Sequence, residues 1–179
     1  GAPSDLLDYG LGTPDNPIFP EMHEACARVV GGVLAACRLV MAGEADHAMC
    51  ISGGLHHAMR SRASGFCVYN DAGVAISRLK EEHPGIRIAY VDTDAHHGDG
   101  VQWMFYSDPD VLTVSMHESG RYLFPGSGGV DEKGRNGGLG YSVNVPLEPF
   151  TDDESWISCF EDVVPAALRV FDPDLILSQ

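Results

Sequence analysis

Apolar side chains recur every three or four positions in four stretches of the chain, which is the period of an amphipathic helix. Gly43 follows the first of these stretches and is typical of a helix C-terminus, and Pro84 ends the second stretch. Pro165 lies inside the last stretch, where we expect a kink or a boundary. The predicted helices are residues 21–42, 71–82, 101–106 and 151–171.

A second pattern consists of short, continuous apolar runs, which are typical of strands buried on both faces of a sheet. These predicted strands are residues 48–51, 86–90, 111–117, 141–145 and 174–178. By contrast, the closely spaced Pro14, Pro17 and Pro20 predict that residues 1–20 form a loop without a helix. Strands that alternate with helices favour an α/β fold, which we expect to be one domain over residues 1–179 with a parallel sheet and helices on both faces.

The sequence DTDAHHGDG at residues 92–100 directly follows a predicted strand and carries three carboxylates and two imidazoles. A polar loop that caps a strand is the alternative interpretation, but carboxylates crowded at one strand end repel each other unless a cation lies among them. Carboxylate oxygen and imidazole nitrogen together favour a divalent metal, zinc above all. Asp94 and His96 are suitable ligands for it.

Two adjacent histidines, His56 and His57, follow a Gly-Gly turn at the end of another predicted strand. They are suitable as a general base or acid beside a metal-bound water. Asp92 and Asp99 can each accept a hydrogen bond from an imidazole, which fixes its tautomer and raises its pKa. Because ligands of parallel α/β folds bind beyond the carboxyl ends of the strands, we expect these residues to form one site.

Composition and charge narrow the range of partners. The net charge of −15 and the sequence pI near 4.6 argue against nucleic acid or an anionic membrane, and they permit a cationic substrate. The five cysteines form no CxxC pair, which predicts free thiols in a reducing compartment. The chain start lacks the features of a signal peptide, and the apolar-rich residues 29–42 are too short to span a bilayer. We therefore expect a cytoplasmic protein with no membrane partner.

Six short motifs follow one another along the chain: SGGLHHA at residues 52–58, SGFC at 64–67, DTDAHHGDG at 92–100, SMH at 115–117, FPG at 124–126 and YSVNVP at 141–146. Together they resemble, in order, the motifs of the zinc-dependent histone deacetylase family. The opening sequence YGLGTPDNP at residues 9–17 most resembles the bacterial acetoin-utilisation branch of that family. The resemblance implies a parallel sheet of the arginase/deacetylase type, and removal of acetyl groups from acetyl-lysine or a related acetylated amine.

The resemblance also implies roles for the candidate catalytic residues. Asp94 and His96 match two of the three zinc ligands of the family. His57 matches the general base, and His56 matches its electrostatic or acid partner. The aspartates that orient these two histidines in the family match Asp92 and Asp99.

Further positions match the substrate-binding and structural-ion sites of the family. The walls of the tunnel that clasps the acyl-lysine stem match Gly65, Phe66 and Phe124, and two aromatic faces suit apolar methylenes. The rim aspartate that binds substrate backbone matches Asp15. The residues that hold a structural potassium ion, partly through backbone carbonyl groups, match Asp92, Asp94, His96, Ser115 and Met116.

The sequence departs from the family pattern at its ends. The third zinc ligand, an aspartate directly after the strand that begins at Asp174, and the transition-state tyrosine are both expected beyond Gln179. We therefore interpret the chain as an internal fragment of the family domain, truncated at both ends. Because two protein ligands hold zinc more weakly than three, we expect the chain alone to bind zinc poorly and to have little activity.

Two other functions stay open on the sequence. A two-metal ureohydrolase of the arginase kind shares the fold, but its signature needs a carboxylate four positions after Asp94, where this chain has Gly98. The second is a non-catalytic or inactive module that binds an acyl chain or a polypeptide. A module that only binds has no use for a metal-and-base set, which argues against it, whereas the absent third ligand keeps it open.

Overall fold

The computed structural model describes residues 4–179, which fall into two compact units that meet between Pro84 and Gly85 in the sequence. The first unit contains α1 (Ser4–Asp8), α2 (Met22–Met41) and α3 (Asp71–Glu82). The second contains β1 (Ile88–Asp92), α4 (Asp99–Phe105), β2 (Val111–Glu118), a 3₁₀ turn (Asn136–Gly138), β3 (Ser142–Leu147), α5 (Asp153–Phe171) and β4 (Leu175–Ser178).

The strands of the second unit form one parallel sheet in the order β3-β2-β1-β4. This confirms the predicted α/β class and four of the predicted strands. The central strand β1 is buried along its whole length, as its continuous apolar run predicts. Its last residue, Asp92, pairs in register with Ser115 in the interior of β2, so these two polar residues are neighbours across the sheet.

Helices cover both faces of this sheet. One face packs against α5 through an apolar layer, in which burying each large side chain contributes about 1.5–3 kcal/mol. The buried members of that layer are Ala89, Val91, Leu112, Val114, Met116, Val164 and Phe171. On the opposite face Asn144, the register partner of Ser115, donates a hydrogen bond at 2.7 Å to Gln102 of α4.

The first unit confirms both helices that periodicity predicts for it. Helix α2 ends where Gly43, at φ +69°, donates its N–H to the carbonyl of Val40. Helix α3 begins at a side-chain cap, in which Asn70 Oδ1 accepts the Gly73 N–H at 2.8 Å. The two helices pack together, and Ile76 and Leu79 of α3 are completely buried.

Two predictions for the first unit are wrong. Residues 48–51 form no strand, and Met49 and Ile51 are 85% and 92% exposed. A strand needs a neighbour for its ladder hydrogen bonds, and the described residues of this unit contain no strand to supply one. In addition, the predicted loop includes the short helix α1, because Ser4–Asp8 precedes the closely spaced prolines that exclude helix later on. Residues 1–3 lie outside the described part.

Prolines in the second unit are tolerated for different reasons. Pro165 lies inside α5 and does not end it. Pro146 lies within β3, an edge strand, where a missing N–H costs no ladder hydrogen bond on the open side. Across residues 4–179, none of the helices combines the length and apolar character that crossing a membrane requires.

Candidate metal and catalytic site

The carboxylate of Asp92 ends β1 in a completely buried position. The Tyr90 hydroxyl donates to its Oδ2 at 2.8 Å, and the Asp94 backbone N–H donates to its Oδ1 at 3.0 Å. Tyr90 and Asp92 are two positions apart and therefore lie on the same face of the strand. These two hydrogen bonds fix the orientation of the carboxylate and begin the turn that carries Asp94.

Asp94 and His96 bring a carboxylate oxygen and an imidazole nitrogen together. His96 Nδ1 lies 2.9 Å from Asp94 Oδ1, and the His96 backbone N–H donates to the same oxygen at 2.7 Å. A tetrahedral zinc holds two such donor atoms about 3.3 Å apart, given bonds near 2.0–2.1 Å. The side chains are 39% and 40% exposed, so the pair is reachable from solvent. The donor types therefore suit a zinc ion, whereas the 2.9 Å between the two atoms is the length of a direct hydrogen bond.

Three further candidate residues of the second unit, Asp99, Ser115 and Met116, follow this pair in the sequence. Asp99 is buried at the start of α4, where its Oδ1 accepts the Gly100 N–H at 2.9 Å. Ser115 and Met116 are buried in β2 beside the end of β1. Within residues 4–179, no group of three or more His, Cys, Asp or Glu side chains is arranged to hold a metal ion.

Two further histidines, His97 in the loop between β1 and α4 and His117 in β2, are buried with ring centroids 4.8 Å apart. His117 Nε2 lies 3.0 Å from the Gly128 carbonyl oxygen, which only accepts, so Nε2 carries the proton and Nδ1 accepts from Ser115 Oγ at 2.9 Å. Burial lowers the pKa of His117 to about 4, with the neighbouring His97 contributing, and burial likewise lowers the pKa of His97. Both rings are therefore neutral at pH 7.

In the first unit the tandem histidines are buried, and their ring centroids lie 4.0 Å apart. Asn70 and Asp71, at the start of α3, hold the loop that carries them. Asn70 Nδ2 donates to the carbonyl oxygens of His56 and Ala58, at 3.1 and 3.0 Å. The Asp71 carboxylate accepts the N–H groups of Gly54 and Leu55, at 2.9 and 2.6 Å. The helix start therefore sets the position of the histidine pair.

The candidate substrate-binding residues are exposed aromatic and acidic side chains. Gly65 and Phe66 are the central residues of a tight two-residue turn with φ of +51° and +68°, closed by the Ser64–Cys67 bridge. This turn leaves Phe66 76% exposed. Asp15 is exposed in the loop before α2. In the second unit Phe124 is 46% exposed, and its ring meets His96 edge-on at 6.4 Å.

The predicted site residues thus fall into two groups, one in each unit. The first unit holds Asp15, His56, His57, Gly65 and Phe66, and the second holds Asp92, Asp94, His96, Asp99, Ser115, Met116 and Phe124. Within the second group, Asp92 ends β1 and pairs in register with Ser115 of β2. That the two groups together form one site stays a prediction.

A comparison with known protein families shows to which family the chain belongs. Residues 3–179 match the family described as Histone deacetylase domain. The chain belongs to the histone deacetylase family. Among curated relatives, this deacetylase-family chain is 53% identical to the acetoin utilization protein AcuC of Bacillus subtilis (strain 168), over 171 residues. It is 48% identical over 174 residues to AcuC of Staphylococcus aureus (strain MRSA252).

Solved structures give the same result. The deacetylase-family chain matches the crystal structure of an HDAC homolog from Aquifex aeolicus with a TM-score of 0.90 and 35% identity, over 96% of this chain and 45% of that one. A crystal structure of an HDAC homolog complexed with SAHA matches equally well. The two AcuC alignments cover 96% and 97% of this chain but 44% of each relative. The chain therefore spans less than half the length of the relatives it matches.

Several residues that position the site had no role in the sequence interpretation. A signal existed for Asn70 and Asp71, because a polar pair directly before an amphipathic stretch is typical of a helix start. No local signal existed for Gln102 and Glu132, whose side chains meet across 30 positions of sequence. His97 and His117 were part of the motifs, but nothing in the sequence distinguished a buried histidine from a ligand.

Proposed function

We propose that the whole protein is a zinc-dependent hydrolase that removes acetyl groups from acetyl-lysine or a related acetylated amine. The observation that carries the proposal is the pairing of Asp94 and His96 at the end of a buried parallel strand, in a chain of the histone deacetylase family. Carboxylate oxygen and imidazole nitrogen are the donors zinc takes at catalytic sites. When bound, zinc supplies a Lewis acid and lowers the pKa of a coordinated water.

The histidines of the first unit are proposed to handle the protons of the reaction. His57 accepts the proton of the attacking water, and His56 acts as its electrostatic or acid partner. Their burial supports this assignment, since a base shielded from bulk water keeps a defined partner and orientation. Asp92 and Asp99 are proposed to orient these imidazoles; both carboxylates are buried and held in place.

The substrate side of the proposal rests on exposed apolar and acidic groups. Phe66, with Gly65 beside it, and Phe124 are proposed to flank the methylene stem of the acylated amine, since exposed rings suit that role. Asp15 is proposed to bind substrate backbone at the rim. The net charge of −15 favours a cationic substrate over nucleic acid or a membrane surface. The five free cysteines favour a reducing, cytoplasmic compartment.

A structural potassium ion is a further part of the proposal. The residues proposed to hold it are Asp92, Asp94, His96, Ser115 and Met116. Support comes from the register pairing of Asp92, the last residue of β1, with Ser115 of β2. Oxygen donors of this kind suit a hard cation.

The proposed function is tested by assaying the whole protein on an acetyl-lysine peptide and on an acetylated polyamine, with and without a chelator. We expect the protein to release the amine, the chelator to abolish this activity and added zinc to restore it. His57→Ala should lower the rate of amine release by at least roughly 100-fold. Exposed His47→Ala is the matched control and should leave the rate unchanged.

Other outcomes of this assay would identify the competing functions. Binding of the acetylated substrates without turnover would make the protein a non-catalytic module. Two bound metals per chain, with hydrolysis of a guanidino compound instead, would make it a ureohydrolase.

A further inference from the structure

A ring of hydrogen bonds ties the loop after β2 to His97, in the loop between β1 and α4, and to Gln102 of α4. Its centre is the Glu132 carboxylate, which accepts the Gly128 N–H at 3.0 Å through Oε1 and the Gln102 side-chain amide at 2.7 Å through Oε2. We call the set Glu132, Gln102, His97, Ser127 and Gly128 the loop clamp.

The other half of the loop clamp runs through His97. Its Nε2 lies 3.1 Å from Gln102 Oε1, and its Nδ1 lies 2.9 Å from Ser127 Oγ. Because the amide nitrogen of Gln102 faces Glu132, its oxygen must accept, so His97 donates through Nε2 and accepts from Ser127 through Nδ1. Asn144 donates at 2.7 Å to the same Gln102 oxygen and adds β3 to the ring.

The loop clamp leaves the loop little freedom. At Gly128, with φ +89°, an added Cβ would lie 2.3 Å from His117 Nε2 and 2.8 Å from His97 Cγ, so the loop backbone rests directly on the two imidazoles. Phe124 lies three residues before Ser127 and contacts the ring of His96. His96 in turn precedes His97. The loop clamp therefore holds Ser127, three residues after Phe124, against His97, the neighbour of the proposed zinc ligand His96.

We propose that Glu132 and Gln102 are positioning residues that hold Phe124 at its place beside His96 and thereby set that wall of the acyl-binding site. The part of this inference that concerns substrate rests on the proposed function. Glu132 contacts neither substrate nor metal in this scheme, and it acts through Gln102, His97 and the backbone of Gly128.

The polarity of the loop clamp gives a sharp test. Glu132→Gln keeps the shape, but an amide cannot accept from both Gly128 and Gln102, so two donors face each other. Adding Gln102→Glu reverses the direction of that one hydrogen bond. In the double variant the new amide at position 132 donates to the new carboxylate at position 102. That carboxylate still accepts from His97 and Asn144, and every partner is satisfied again at unchanged net charge.

The experiment uses the whole protein and two measurements. In Glu132→Gln we expect roughly tenfold faster amide hydrogen exchange over residues 124–128 and a roughly tenfold higher KM for an acetyl-lysine peptide, with kcat changed less than about twofold. The double variant should restore both values. Ser127→Ala removes one neutral hydrogen bond and should raise the exchange rate and the KM by smaller factors. This variant provides the test if Glu132→Gln does not fold.

Asp131→Asn is the matched control, because it is the same kind of change at an exposed neighbour in the same loop. Unchanged exchange in Glu132→Gln and Ser127→Ala would overturn the inference, as would a double variant that fails to rescue. If the wild-type protein hydrolyses no acetylated amine, the proposed function fails, while the exchange measurement still decides the role of Glu132 and Gln102.

Discussion

The side-chain amide of Asn70 donates to the carbonyl oxygens of both His56 and Ala58, at 3.1 and 3.0 Å. The oxygen of the same amide caps α3 by accepting the Gly73 N–H. One buried side chain therefore joins the histidine loop to the start of α3.

Asn70→Ala should lower the free energy of unfolding by about 2–4 kcal/mol. The lost cap accounts for about 1 kcal/mol, and the two carbonyls left without this donor account for the rest. Urea unfolding of this chain measures the change. Asp152→Ala removes the exposed cap of α5, where Asp152 accepts the Ser155 N–H, and is the control. A loss in Asn70→Ala no larger than in Asp152→Ala would show that the two carbonyl bonds contribute nothing.

Gly53→Ala should destabilise the chain by about 1–3 kcal/mol, the usual cost of overpacking. A Cβ at this position would lie 2.7 Å from both Asp71 Oδ2 and Val33 Cγ2. Gly31→Ala, on the exposed side of α2 with open space around the new Cβ, is the control with the opposite sign. It should stabilise by about 0.5–1 kcal/mol, since Ala is the better helix former. Thermal unfolding of the two variants side by side tests both signs.

Acid should destabilise the chain through His117. Its pKa is about 4 in the folded chain because of burial, against the ordinary 6.5 when unfolded. Above pH 6.5 the His117 ring is neutral in both the folded and the unfolded state, and the free energy of unfolding does not depend on its titration. Between pH 6.5 and 4 only the unfolded state binds the proton, so the free energy of unfolding falls as the pH falls. We expect about 3 kcal/mol of loss by pH 4 from this group. Burial shifts the pKa of His97 in the same direction.

Urea unfolding at pH 7.5, 6.0 and 4.5 measures the effect. His117→Gln should have a flatter pH profile than the wild type even though its stability at pH 7.5 is lower. The exposed His47→Gln variant should keep the wild-type slope. A His117→Gln profile as steep as that of the wild type would contradict the prediction.

The zinc affinity of this chain should differ from that of the whole protein. Isothermal titration should show the 179-residue chain to bind zinc at least roughly 100-fold more weakly than the whole protein does, because Asp94 and His96 supply only two ligands. In the whole protein Asp94→Ala should lower affinity by a similar factor, whereas exposed Asp46→Ala should not. Tight, stoichiometric zinc binding by the 179-residue chain would refute the two-ligand description.

The sequence by itself determined the elements whose burial follows a local period. Helices α2, α3 and α5 and the strands of the sheet lie close to their predicted positions, because the spacing of apolar residues reflects the face that packs. It also determined the closeness of Asp94 and His96, since two residues apart in a turn they can hardly separate. The family motifs rest on the same kind of short-range information.

Only the tertiary structure decided the rest. Residues 48–51 have a strand-like composition, yet the described part of the first unit offers them no strand to pair with. The contact between Gln102 and Glu132 and the burial of His97 and His117 depend on the path of a glycine-rich loop that no local period describes. Hydrogen-bond partners 30 residues apart, and a pKa lowered by desolvation, come from chain segments that meet only after folding.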